Sequence, residues 1–286
     1  MTATLRRAEP RDIDAICTFL NTNMNPDFPV ERWKGLFSHS WCRDNSDIGI
    51  VAEDGDRIVG YHGHICSSRT IGVRRERFVN FTSWYILKEY RGQGLGSAMI
   101  AMATADPDVT YTAFSLSPKR IDFFKALGMD VLEEERLLWR KTGEIYDNLE
   151  LIHDPVQMVL RANPAEVRVL EDHLDLPVTP VLVSTKCTQC LLLLSISVKG
   201  DNVTYYDVLY RSNPRLFSER VGHIVEALLP EGNCVLAADR RFVEADEYGA
   251  EVETIKSPRF YKSARVKPCD IDLVYSELVL LDLKLD

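Results

Sequence analysis

Arg91-Gly92-Gln93-Gly94-Leu95-Gly96-Ser97 is the stretch of the chain whose residue types and spacing most clearly suggest chemistry. Three glycines at alternate positions let successive backbone amides converge on one anion, because side chains there would hold the backbone away from a diphosphate. The glycines follow a strand-like run, Arg77 to Leu87, and precede a helical pattern, Ala98 to Thr104. A helix N-terminus adds its partial positive charge to such a cradle, and Arg91 adds a full one. Spacing alone leaves a dinucleotide-binding turn, a nucleotide-hydrolase phosphate loop and an ordinary loop all open.

The surrounding elements narrow the choice. A dinucleotide fold places its glycines near the start of a parallel β-α-β unit, with an acid about 20 residues later. Here they end an antiparallel series, and Asp106 and Asp108 flank Pro107 in a turn. The series consists of Ile48 to Glu53, the hairpin signal Asp54-Gly55-Asp56, Arg57 to Ser67, a turn at Gly72, and the run Arg77 to Leu87. No Lys-Ser or Lys-Thr follows the glycines, so the phosphate-loop reading fails. Upstream, residues 4–8 predict a strand, and Glu9-Pro10-Arg11-Asp12 opens an amphipathic helix with Ile13, Ile16 and Leu20 on one face. After Pro26 and Pro29, Val30 to Phe37 has helical spacing. Downstream come a strand Val109 to Ser115, a helix Lys119 to Leu127 closed by Gly128, and a strand Met129 to Arg140.

At these residues the chain resembles the GNAT superfamily of N-acetyltransferases. That signature is Arg or Gln, two residues, Gly, one residue, then Gly or Ala, and Arg91 to Gly96 matches it in full. Phe124 to Met129 resembles the looser second signature, an aromatic, three residues, Gly and an apolar residue. The resemblance covers roughly residues 1–145. It implies a mixed α+β GNAT-like fold and an acyl-CoA co-substrate, acetyl-CoA first. Arg91, Gly92, Gln93, Gly94, Leu95, Gly96 and Ser97 would hold the pyrophosphate through main-chain amides. The strand end around Trp84 to Leu87, with Ile86 and Leu87, would pair with the pantetheine, and Phe124 would stand beside the cofactor.

Amide formation from a thioester needs a neutral amine, a polarised carbonyl and a proton for the leaving thiolate. The resemblance implies polarisation by the backbone N–H of Trp84 or Tyr85. It places a proton-donating tyrosine, seven residues beyond an asparagine, at positions held here by Phe124 and Ser117. Phenylalanine cannot donate, so another hydroxyl serves, with Tyr85, Ser115 and Ser117 as candidates, or water does, or the site is impaired. A glutamate expected on the fourth strand falls near Asn80, which can only orient, with Thr82 on the same face. His62 and His64 share one face of the preceding strand, where an imidazole could accept the amine proton near neutral pH. They equally fit two buried, hydrogen-bonded histidines, and no third ligand has suitable spacing for a metal. The catalytic candidates are therefore Tyr85, Asn80, Ser117 and His64, with no metal. Arg120 fits contact with a CoA phosphate or acidic substrate, or a plain exposed helix position.

The second half has no glycine cradle, yet it lies over the first with an offset of about 124. Val203 to Arg211 then covers Val79 to Leu87, Leu216-Phe217-Ser218-Glu219-Arg220 replaces the cradle, and Gly222 to Leu229 and Asn233 to Ala238 repeat helix and strand. Glu219 would repel a diphosphate. The division expected is a GNAT catalytic domain at 1–147 and a degenerate GNAT-like domain at 148–286, structural or forming an acceptor-pocket wall. An unrelated α+β domain remains open. Cys187-Thr188-Gln189-Cys190 lacks the second pair of a zinc site and reads as buried thiols. Asp270 to Leu283 alternates and predicts a last strand.

Composition sets the bounds. The 286 residues suit about two domains at roughly 150 residues each. Hydrophobic residues at 45% and charged residues at 27% fit a chain able to bury a core. A net charge of -9 argues against non-specific nucleic-acid or membrane-surface binding. The longest apolar stretch, Ala98 to Ala103, is far short of the roughly 20 residues of a membrane span. The N-terminus lacks the apolar core of a signal peptide, and seven cysteines, an odd number, suit reducing conditions, so a soluble, cytoplasmic protein is expected. The function expected is N-acyl transfer to a primary amine of a small molecule, with an amino sugar preferred. A silent acyl-CoA-binding or scaffold module stays open. So do an acyl carrier protein donor docking at Arg74, Arg75, Arg77 and Lys88, and a homodimer.

Overall fold

The computed structural model describes residues 3–42, 47–144, 146, 149–244 and 249–285. The strands are β1 (Thr4–Arg7), β2 (Gly49–Asp54), β3 (Arg57–Ile71), β4 (Arg74–Ile86), β5 (Val109–Ala113), β6 (Asp130–Trp139), β7 (Glu150–Ile152), β8 (Thr179–Ser184), β9 (Gln189–Lys199), β10 (Val203–Arg211), β11 (Cys234–Asp239) and β12 (Glu251–Lys262). The helices are α1 (Ile13–Asn23), α2 (Val30–Lys34), α3 (Leu95–Ala103), α4 (Ile121–Ala126), α5 (Pro155–Arg161), α6 (Pro164–His173), α7 (Pro214–Leu228) and α8 (Glu277–Leu280). None is long and apolar enough to cross a membrane among the described residues.

The chain forms two compact units that are not consecutive halves. The first comprises Met1–Leu132, Arg259–Asp270 and Tyr275–Leu283; the second comprises Glu133–Pro258, Ile271–Val274 and Lys284–Asp286. A single boundary at 147 is thus replaced by an exchange of late segments. The pairings give the reason: β6 lies antiparallel to β11, whereas the end of β12 lies antiparallel to β5, Phe260 opposite Ala113.

In the first unit β1 to β4 form an antiparallel meander, and β5 joins β4 in parallel through α3. A parallel return needs a crossover, which α3 supplies. Ile16 and Leu20 of α1, which packs on β3 and β4, have no exposed surface, and Met99 and Ile100 of α3, which packs on β2, are buried. In the second unit β8, β9 and β10 again run antiparallel, and α7 leads to β11, parallel to β10. The two units therefore share one order: meander, helix, parallel strand.

Residues 270–283 contain no strand, contrary to the sequence expectation. Residues 271–279 are all buried, so their apolar character does not mark a single sheet face. Ser276 accepts from the Leu278 amide and starts α8. This turn determines where Glu277 goes.

Candidate functional site

The ladder between β4 and β5 runs from Arg77↔Val109 to Asn80↔Thr112 and stops. Beyond Asn80 the two strands part. Between the rungs Gly63↔Thr82 and Tyr61↔Tyr85, His62 faces two residues, Ser83 and Trp84, with Ser83 at φ 49. This is a β-bulge, which re-aims side chains and takes one residue out of the ladder. The chain then turns through Lys88–Tyr90 into the glycines.

Gly92 and Gly94 adopt φ 77 and φ 78, a left-handed backbone that side-chain-bearing residues resist. Gly94 is the N-cap of α3, and no side chain caps that helix. Its first amides are accordingly left as donors for a ligand. The turn borders a cleft of about 240 Å³ lined by Trp84, Ile86, Tyr90, Arg91, Gly92, Gly94, Leu95, Gly96, Ser97, Arg120 and Phe123. The Arg91 Nε donates to the Ile86 carbonyl at 2.8 Å, with its guanidinium 5.1 Å from the Tyr85 ring centre. Arg120 stands 4.7 Å from the Trp84 ring centre, and burial and the nearby Arg91 lower its pKa. Two cations thus edge a small cleft on an acidic protein, the arrangement a phosphate ligand needs.

Of the expected cofactor residues, Ile86, Arg91, Gly92, Gly94, Leu95, Gly96 and Ser97 line this cleft. Leu87 is buried beside it, and Gln93 is exposed and donates to the Glu89 carbonyl at 3.2 Å. Phe124 is elsewhere: it is 1% exposed and packs on Trp84 and Phe260. The wall position belongs to Phe123, with its ring 5.1 Å from Trp84, because α4 turns that side outward and Phe124 into the core.

The catalytic candidates do not converge. Ile65 is paired with Asn80 and His64 with Phe81, so Asn80 and His64 point to opposite faces. His64 is buried and both ring nitrogens are engaged, Nε2 with His62 Nδ1 at 3.0 Å and Nδ1 with Asp47 Oδ1 at 2.9 Å. It is a member of a buried polar chain and has no approach to the Asn80 face. Tyr85 is half-buried, edge-on to Phe19 of α1, and Ser117 is exposed at the start of the turn before α4.

Asn80 instead meets a residue that sequence reasoning missed. Its Nδ2 donates to Glu277, whose other oxygen accepts from the Ser115 amide at 3.1 Å and from the Ser115 hydroxyl. Thr112 Oγ1 donates to Asn80 Oδ1 at 3.0 Å, completing the cluster. A carboxylate thus stands beside the expected fourth-strand position, supplied from α8. The one sequence signal was an acid inside the apolar run Tyr275 to Leu281.

The second unit differs at the corresponding place. The helix after β10 is capped: Asn213 accepts from the Leu216 amide at 3.0 Å, and Glu219 is paired with Arg215 at 2.7 Å. Leu216 to Arg220 are helical and offer no cradle. A groove of about 610 Å³ includes Asn163, Thr188 and Asn213. The α6 helix beginning there is capped too, by Asn163. Cys187 is exposed and Cys190 buried, so only the latter is the buried thiol expected.

Residues 45–128 match the family model for an acetyltransferase (GNAT) domain. No curated protein matches the sequence. Among solved structures, Eis1 from Mycobacterium abscessus is similar at 13% identity and TM-score 0.55, over 92% of this chain and 73% of that one. A GCN5-related N-acetyltransferase from Anabaena variabilis is similar at 14% identity and TM-score 0.57, over 93% and 74%. A probable N-acyltransferase of unknown function from Enterococcus faecalis is similar at 10% identity and TM-score 0.60, over 92% and 73%. A glucosamine N-acetyltransferase region of a fungal multi-domain β-N-acetylglucosaminidase is similar at 14% identity and TM-score 0.51, over 91% of this chain and 38% of that one.

Proposed function

We propose that this chain, whose residues 45–128 constitute a GNAT acetyltransferase domain, moves an acyl group, acetyl first, from acyl-CoA to a primary amine of a small molecule. The observation that carries the reading is the uncapped, left-handed glycine turn at the start of α3, edged by Arg91 and Arg120. The turn receives the pyrophosphate on its amides, and the parted end of β4 receives the pantetheine as an added strand. The acyl carbon then lies near the bulge, where a β4 amide polarises its carbonyl and the amine attacks. Tyr85, half-buried on the Asn80 side of β4, is the hydroxyl that returns a proton to the thiolate.

An amino sugar is the preferred acceptor, supported by fold likeness to the fungal glucosamine N-acetyltransferase region. The second unit is a copy of the same fold without its anion cradle, supported by the shared element order and by the Asn213 cap. The test is thiol release from acetyl-CoA across a panel of small amines. Turnover with at least one amine supports the reading; acetyl-CoA bound without any turnover favours a silent binding module.

A further inference from the structure

We propose that Ser115 and Glu277 form a relay that takes the proton from the incoming amine, with Ser115 touching the acceptor and Glu277 standing behind it. This rests on the acyl-CoA reading. Ser115 is exposed, three residues beyond Thr112, where β5 has already parted from β4. Glu277 is 1% exposed and sits behind it, held by Asn80 Nδ2 and by the Ser115 amide and hydroxyl. No cationic side chain pairs with Glu277 among the described residues.

A fully buried carboxylate held only by neutral donors carries a desolvation cost that hydrogen bonds offset only in part. Apolar packing would stabilise the site more simply. Burial raises the Glu277 pKa, partly opposed by the Ser115 and Asn80 hydrogen bonds, which makes it a stronger base than a surface glutamate. The backbone carrying it is clamped: Arg32 Nε donates to the Leu281 carbonyl at 3.0 Å, and the guanidinium lies 3.8 Å from the Phe28 ring centre.

The step balances as follows. The amine nitrogen bonds to the thioester carbonyl carbon while its proton passes to Ser115 Oγ, and the serine's own proton passes to Glu277. The C–S bond breaks, its electron pair leaves on the thiolate, and the thiolate takes a proton from Tyr85 or water. Glu277 then returns its proton to solvent through Ser115, and Tyr85, where it was the donor, takes one back from solvent.

The experiment uses the full chain, acetyl-CoA, and the best turned-over amine among glucosamine, spermidine and glycinamide. Thiol release without amine, water being the acceptor, gives the same comparison. Glu277→Gln and Ser115→Ala should each lower kcat about 100-fold, with KM for the amine and calorimetric acetyl-CoA affinity changed less than about threefold. Their combination should fall no further, and Glu277→Asp should recover part of the rate. Ser115→Ala keeps the fold testable, since Ser115 is exposed. A kcat within about threefold of wild type in Ser115→Ala or in folded Glu277→Gln, or losses that multiply, overturns the relay. Wild type that binds acetyl-CoA but releases no thiol overturns the relay alone, and wild type that neither binds nor releases overturns the acyl-CoA reading and the relay with it.

Discussion

A Cβ on Gly96 would stand 2.8 Å from Cζ2 of Trp84, so the cradle helix touches the bulged end of β4 through a contact that only glycine allows. Trp84 cannot retreat cheaply, because Phe123 and Phe124 pack on its ring. Gly96→Ala is expected to weaken acetyl-CoA binding about tenfold and to destabilise the protein by about 1–3 kcal/mol. Adding Trp84→Phe should restore much of the stability. Calorimetry and denaturant unfolding of the single and double variants check this, and an unchanged Gly96→Ala contradicts the close contact.

Arg120 edges the cleft and lies over Trp84 without an ion-pair partner among the described residues. Its role is a charge offered to a phosphate, so Arg120→Ala should weaken acetyl-CoA binding about 5- to 10-fold and flatten its salt dependence. Unfolding free energy should change by less than about 1 kcal/mol. A variant that loses stability and keeps its affinity would make Arg120 a structural residue.

Acid should weaken the fold before it touches most carboxylates. Burial, with His64 acting in the same direction, holds His62 well below its ordinary value of 6.5, and burial lowers His39 to about 4. Below about pH 6.5 the unfolded chain takes up protons that the folded chain refuses, so each histidine removes up to about 1.4 kcal/mol per pH unit. The His39 share ends near pH 4. Asp47 acts later. Burial pushes its carboxyl up, but the hydrogen bond from His64 and the charges of His64 and Arg7 override this and hold it at about 2. Its contribution is present above its ordinary 3.8 and is lost as pH falls toward 2. Denaturant midpoints at pH 8, 6, 5 and 4 should fall steadily below pH 6.5, and His62→Phe should reduce the slope. A flat profile from pH 7 to 5 contradicts the assignment.

The features legible in the sequence were those with local causes. Gly92 and Gly94 announced a close-approach turn because that requirement lies in their own backbone, and strand-like runs marked most of β3 and β4 while missing Ser68 to Ile71 and Arg74 to Glu76. The α3 helix begins at Leu95, earlier than the apolar pattern suggests, because Gly96 is tolerated for its contact with Trp84. An offset of about 124 misplaced Leu216 to Arg220, because Asn213 and Pro214 already cap and start α7. Alternation put His62 and His64 on one face but could not say which face holds Asn80. Glu277 was out of reach: its partners Ser115 and Asn80 lie 162 and 197 positions away, and its segment resembled a strand.

Arg32 tests whether the α8 segment must be held in place. Arg32 Nε bonds the Leu281 carbonyl, and a second guanidinium nitrogen bonds the Asp282 carbonyl at 3.1 Å. Arg32→Ala should cost about 1–3 kcal/mol and speed amide exchange in residues 277–283. Unchanged exchange in that segment would show that the clamp is unnecessary.

Calorimetric titration with acetyl-CoA, on wild type and on Gly94→Glu, tests the central claim most directly. Gly94 caps α3 at φ 78, where a glutamate would strain the backbone and place a negative charge among the donor amides. One binding event in wild type and its loss in a folded Gly94→Glu variant is the result predicted. No binding by wild type, or equal binding by the variant, contradicts the assignment of the glycine turn as the acyl-CoA site.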